Sequence, residues 1–315
     1  MSIDRKTFLR RAALGAAGLV AGASSQAQSS AGAAPRALAA YDPKSPEAFW
    51  RDVRAQYPLT RELTYFNTGG LGPACRPALE AMQATTTKLQ ERAEHGHGLF
   101  AGARATTAKF IGAETAEIAF VRNATEGNAI VAAGLKLSAG DEVIFESHAH
   151  PGGSFPWLQQ QRLRGVVVKI FEPSTGSAEE NLERIQKLMT RRTRAVQVSH
   201  ITAPTGIVLP AVEIGKLCRE RGVWFHVDAA QSVGMVPVSV RELGCDSLAT
   251  SGHKWLGAPL ETGILFVRKD RLDDVQPTLV GAYSGDVAGL PGELKLDATA
   301  VRYEYGTRNS AAAVG

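Results

Sequence analysis

Two side chains of opposite chemistry sit at the ends of apolar runs. Asp228 closes Val223-Trp224-Phe225-His226-Val227, whose β-branched and aromatic residues predict a strand. An acid at that end is poorly placed for a core and well placed for a pocket. Lys254 stands in Ser251-Gly252-His253-Lys254, just after another predicted strand. A lone lysine is usually a solvated surface group; with Asp228 at a comparable strand end, it reads as an amine facing a site. Arg122-Asn123-Ala124-Thr125-Glu126-Gly127-Asn128 follows a third strand and opens a helix. Unpaired N–H groups and the helix dipole there favour an anion, although a plain helix cap by Thr125 would look the same locally. Glu146-Ser147-His148-Ala149-His150-Pro151-Gly152-Gly153 offers two imidazoles after a fourth strand. A metal pair is one reading of them, but no further ligand cluster and no Cys-x-x-Cys accompanies it.

The elements that must position these groups alternate. Strands are predicted over Ile118–Val121, Glu142–Glu146, Val166–Phe171, Arg194–Ser199, Val223–Asp228, Ser247–Thr250 and Gly263–Val267. Helical patterns lie at Glu126–Leu137, Ser154–Arg164, Ala178–Thr190 and Ala211–Arg221, with Pro77–Glu94 and Ala103–Phe110 ahead of the sheet. Such alternation predicts an α/β fold, a mostly parallel seven-stranded sheet with helices on both faces. No helix separates the last two strands, so they are expected to run antiparallel. Ligands in open α/β sheets bind beyond the carboxyl ends of strands, where most of the polar residues above fall.

Composition narrows the rest. The 315 residues are 44% hydrophobic and 21% charged, ordinary for a globular protein, and three cysteines are too few for a disulfide scaffold. Cys218 and Cys245 read as small buried hydrophobes, and Cys75 falls in a turn-rich segment. Arg5, Lys6, Arg10 and Arg11 against Asp4 account for most of the net charge of +4. The nearly neutral remainder gives no electrostatic case for nucleic acid. The basic residues, the apolar stretch Ala12–Ala23 and the small polar stretch Ser24–Ala34 have the layout of an export signal, too short to span a bilayer. The block resembles a twin-arginine signal, with Arg5-Lys6 where two arginines are usual. It implies the twin-arginine translocase as a partner and a periplasmic or exported location, with cleavage near Ala27.

His-Val-Asp-Ala-Ala-Gln (226–231) followed by Ser-Gly-His-Lys (251–254) resembles the fold-type I pyridoxal-phosphate enzymes, in the class V aminotransferase and cysteine desulfurase branch. The resemblance runs from Tyr65 to Asn309. It implies pyridoxal 5′-phosphate as cofactor, held by Lys254 as a Schiff base, with Asp228 keeping the pyridine nitrogen protonated. A freed Lys254 could then move a proton at the substrate α-carbon. By the same resemblance Gln231 meets the phenolic oxygen, and Ala124, Thr125, Ser251 and His253 hold the phosphate. His150 stacks on the ring, with His148 as the rival. Tyr65–Pro73 matches the family's glycine-rich opening segment, although by itself it is just a turn. Thr307, in Tyr303–Asn309, matches a threonine that reaches the neighbouring subunit's phosphate, which implies a homodimer with shared sites. Ala203 stands where cysteine desulfurases commonly carry Asn, and the continuation Pro204–Pro210 looks like the isopenicillin N epimerase-like subgroup. Thr202 offers a hydroxyl or simply packs at a strand end.

These readings divide the chain into a signal (1–27), a linker and N-terminal segment (28–60), a cofactor-binding large domain (61–309) and the truncated start of a C-terminal region (310–315). The small C-terminal domain, with the arginine for a substrate carboxylate and the reactive-cysteine loop of desulfurases, is expected to be missing. The expected activity is chemistry at the α-carbon of an amino acid or amino-acid-containing compound, epimerase-like first and transamination next. The alternative is a cysteine desulfurase or C–S lyase, or a cofactor-binding protein without turnover. A Rossmann nucleotide-binding domain is disfavoured, because no Gly-x-Gly-x-x-Gly follows the first strand.

Overall fold

The structure, a computed structural model, describes Leu38, residues 40–287 and residues 292–315. The expected export signal, residues 1–27, lies outside the described residues. The chain divides into two compact units, Met1–Phe49 and Trp50–Gly315. In the described part of the first, Tyr41 and Phe49 meet edge to face at 5.4 Å. Helix α1 (Pro46–Ala55) spans this division, and the other elements among the described residues lie within Trp50–Gly315.

A seven-stranded sheet organises that unit, in the order β1-β7-β6-β5-β4-β2-β3. Its strands are β1 (Ile118–Val121), β2 (Glu142–Glu146), β3 (Val167–Phe171), β4 (Thr193–Ser199), β5 (Trp224–Asp228), β6 (Ser247–Ser251) and β7 (Gly263–Val267). The strands β6, β5, β4, β2 and β3 are mutually parallel. β7 is antiparallel to both β6 and β1, as its short connection to β6 requires. Reversed twice, β1 points the same way as the parallel strands. The carboxyl ends of β1, β2, β4, β5 and β6 therefore open on one edge of the sheet, and the loops after them share it.

Two apolar layers cover the sheet, as the strands' alternation dictates. Phe225 and Val227 face a core with Ile214, Leu217 and Cys218 of the helix Ala211–Glu220. Trp224 faces the other layer, with Ile130, Val131 and Trp157. The helices before the sheet are α2 (Arg76–Arg92) and α3 (Phe100–Ile111); those around the site are α4 (Ala124–Gly134) and α5 (Pro151–Arg164).

Both site helices begin earlier than their periodicity suggests. α4 starts at Ala124 because Asn123 caps it, its Oδ1 accepting the Glu126 N–H at 2.9 Å. Thr125 is thus a helical residue and not the cap. α5 starts at Pro151, a residue suited to a first turn, and His150 caps it, its Nδ1 accepting the Gly152 N–H at 3.0 Å. A small antiparallel hairpin, β8 (Gly285–Val287) with β9 (Leu294–Leu296), was not anticipated; three-residue strands are too short to display a period.

Candidate active site

A cavity of about 650 Å³ opens where those strand ends converge. Asp228 borders it at the end of β5, only 6% exposed. Its Oδ1 accepts the Ala230 N–H at 3.0 Å and its Oδ2 accepts Asn128 Nδ2 at 2.8 Å. Gly153 at the start of α5 packs on it: a Cβ there would lie 3.0 Å from Oδ2. Lys254, just past β6, lines the same cavity. Burial lowers its amine below the ordinary lysine value of 10.5, while the Asp228 charge pulls the other way. Its backbone is clamped from the opening segment, where the Gly72 N–H donates to the His253 carbonyl at 2.8 Å. A Cβ on Gly72 would sit 1.7 Å from the Lys254 carbonyl oxygen, so only glycine fits.

Donors gather at one end of the cavity. Ala124 and Thr125 of α4, Ser251 and His253 all line it. Ser251 Oγ accepts the Ala124 N–H at 3.0 Å and ties the helix start to β6. His253 Nδ1 is buried with no hydrogen-bond partner, and burial followed by the Lys254 charge lowers its pKa from 6.5. A helix N-terminus, two hydroxyls and an unsatisfied imidazole suit a phosphate. Gln231 stands on another wall, its Nε2 donating to the Gly69 carbonyl at 3.0 Å and its Oε1 accepting Trp255 Nε1 at 2.7 Å. Its second amide hydrogen remains available to a ligand.

The rival histidines separate. His150 lines the cavity. His148 bonds instead with Glu172 Oε1 and Thr205 Oγ1, each at 3.0 Å. Thr202 Oγ1 is occupied within its own turn by Thr205 Oγ1 and the Ile207 N–H, and Ala203 lines the cavity. Thr307 lies elsewhere in the chain, on a second cavity of about 330 Å³ with Tyr305 and Arg308. None of the three cysteines borders the 650 Å³ cavity. Burial raises the thiol pKa of Cys218 to about 12, and Cys245 also shifts upward.

Three residues near the site were missed in the sequence reading. Asn128 lies one turn after Ala124 on α4, so helical spacing alone would have placed it on the same face. His226 lies two residues before Asp228 and shares its face of the strand. Glu146 ends β2, fully buried, and its Oε1 accepts the Ser199 N–H at 2.9 Å while Oε2 has no partner. Burial, with a smaller push from Asp228, raises its pKa to about 7; no sequence pattern signals that.

The donor set fits a group carrying a phosphate at one end, an aldehyde within reach of an amine, and a basic ring nitrogen beside a carboxylate. Known proteins resemble the chain over this same region. An aminotransferase class-V family model matches residues 74–315. A probable cysteine desulfurase of Pyrococcus abyssi is 33% identical over 278 residues, which is 84% of this chain and 68% of that protein. An isopenicillin N epimerase of Amycolatopsis lactamdurans is 31% identical over 240 residues, 73% of this chain and 60% of its own length. Among solved structures, a cystine C–S lyase in complex with its product cysteine persulfide aligns with a TM-score of 0.75 at 30% identity, covering 82% of this chain and 71% of that one.

Proposed function

The chain belongs to the class V aminotransferase family, whose cofactor is pyridoxal 5′-phosphate, and from that premise we propose that it cleaves the carbon–sulfur bond of cystine or a cystine-like amino acid. When bound, the cofactor supplies an electron sink for a bond broken at the substrate α-carbon. The Lys254 amine would hold its aldehyde, and once released Nζ takes the α-proton. Asp228 would accept from the ring nitrogen and favour its protonated form. Ala124, Thr125, Ser251 and His253 would hold the phosphate, Gln231 the phenolic oxygen, and the His150 ring would cover one face and exclude water.

The observation that carries the reading is the Lys254 amine and the Asp228 carboxylate on one cavity. The choice of sulfur chemistry rests on the desulfurase and C–S lyase relatives. They weigh against the sequence-based preference for epimerisation. Cystine is put before cysteine because the aligned structure is that of a cystine C–S lyase with its product cysteine persulfide, and a disulfide substrate carries its own sulfur leaving group. Epimerisation is the second reading, favoured by Ala203 at the cavity wall and by the epimerase relative.

The test is to incubate the loaded enzyme with L-cystine, L-cysteine and a peptide-like amino acid in deuterated water. Cysteine persulfide, pyruvate and ammonium from L-cystine are expected. Deuterium uptake at the α-carbon of the peptide-like substrate, with no sulfur released from either sulfur amino acid, would replace the proposal with the epimerase reading.

We further propose that two copies share their sites through Thr307, and that Arg5-Lys6 directs export.

A further inference from the structure

Behind Asp228 runs a chain of buried polar groups that no step above uses. Trp224, His226 and Asp228 alternate along β5 and so share one face of the sheet. Trp224 Nε1 donates to Ser247 Oγ at 3.0 Å, and His226 Nδ1 lies 2.7 Å from the same oxygen. His226 Nε2 lies 2.8 Å from Asn128 Oδ1, and Asn128 Nδ2 donates to Asp228 Oδ2 at 2.8 Å. None of these five residues is more than 6% exposed.

Donor and acceptor roles along this chain follow from chemistry. Asn128 Nδ2 also donates to the Gly152 carbonyl at 3.2 Å. A carbonyl only accepts, so the amide nitrogen must face Gly152 and Asp228, and Oδ1 must face His226. Oδ1 needs a donor, which makes His226 Nε2 the protonated nitrogen. At the far end the tryptophan can only donate, so the Ser247 oxygen accepts from it and its hydrogen turns to His226 Nδ1. Flipping the Asn128 amide would set N–H against N–H at His226 and oxygen against oxygen at both Asp228 and Gly152. In a low-dielectric interior such mispairing is costly. Full burial, lowering the His226 pKa to about 3, agrees with a neutral ring.

We propose that His226 is a positioning residue for Asp228: its Nε2–H orients the Asn128 amide, which in turn holds the Asp228 carboxylate with one oxygen accepting from each side and aimed into the cavity. The inference rests on the reading that Asp228 meets the cofactor's ring nitrogen. Its role is to keep the acid that faces the ring as an acceptor in a fixed direction; of the relay, Trp224, Ser247 and His226 lie behind the residues that line the cavity.

The test has two arms. In nitrogen-15 histidine NMR of the wild-type protein, with and without cofactor, the His226 signal is assigned by its loss in His226→Gln. A neutral Nε2–H ring that does not titrate between about pH 5 and 8 is expected; an Nδ1–H tautomer, or titration in that range, overturns the relay. In the second arm, His226→Leu lowers cofactor affinity by about tenfold or more, the usual cost of losing a group that orients a ligand. It also moves the pH midpoint of the bound cofactor's visible band. His226→Gln, which keeps a donor at the Nε2 position, restores both. Wild-type affinity and an unmoved band in a folded His226→Leu overturn the proposal; if that variant does not fold, the NMR arm still decides. Asp228→Asn, measured in parallel, separates the two claims. If it moves the band and His226→Leu does not, only the relay is wrong. If neither moves it, the placement of Asp228 against the ring falls, and the relay with it.

Discussion

At the scale of single residues, the cavity pairs an amine weakened by burial with a carboxylate tied by two donors. Lys254→Ala is expected to remove the covalent hold on the cofactor and the base at the α-carbon together. Its kcat should fall by at least about 10³-fold, and borohydride should no longer fix cofactor to the protein, as read by mass spectrometry of the peptide carrying residue 254. Full turnover in this variant would sink the mechanism. Glu146 gives a second prediction, with its sign fixed by linkage. Its carboxyl has an ordinary value of 4.5 and sits near 7 when folded. Between those values the folded protein keeps a proton that the unfolded chain has lost, so stability falls as pH rises through that interval and stays lower above it. The loss is on the order of 3 kcal/mol. Glu146→Gln, uncharged at every pH, should flatten this dependence and be the more stable protein at about pH 8, measured by denaturant midpoints at acid and alkaline pH.

At the scale of elements, the start of α4 forms one side of the proposed phosphate site and is itself held from two directions. Asn123 caps it, and Ser251 reaches it from β6. Asn123→Ala should cost about 1 kcal/mol of stability. It should also weaken cofactor binding in a titration followed by fluorescence, because the first turn would fray where the phosphate is expected. The segment Tyr303–Asn309 is anchored by Glu304, which is fully buried. Its carboxylate pairs with Arg104 of α3 at 2.6 Å and accepts the Phe120 N–H of β1 at 2.7 Å. Glu304→Ala leaves the Arg104 guanidinium uncompensated and should destabilise by about 3–5 kcal/mol, seen as a lowered thermal midpoint. The resemblance drew attention to Thr307 in this segment. The structure adds that Glu304 is the residue that ties the segment to the sheet.

At the scale of the whole molecule, the proposed pairing of two copies through Thr307 predicts a dimer by light scattering. Thr307→Ala should weaken phosphate-dependent cofactor affinity by about 10- to 150-fold, the worth of one lost hydrogen bond to a charged group; unchanged affinity would remove Thr307 from the site.

Much of this was legible in the order of residues. Strand periodicity is local, so all seven strands of the sheet, their alternation with helices and the antiparallel β6–β7 pair were readable to within a residue or so. The positions of Asp228 at the end of β5 and of Lys254 just past β6 were readable for the same reason, since a strand's end can be seen without knowing its neighbours. What the sequence could not decide was anything set by contacts between distant segments. His150 faces the cavity while His148 turns to Glu172 and Thr205, two segments far along the chain. The raised pKa of Glu146 and the tautomer of His226 come from burial and from partners 21 to 98 residues away in the case of His226. Local pattern specifies which elements form, but protonation and hydrogen-bond direction depend on what the folded chain brings within about 3 Å.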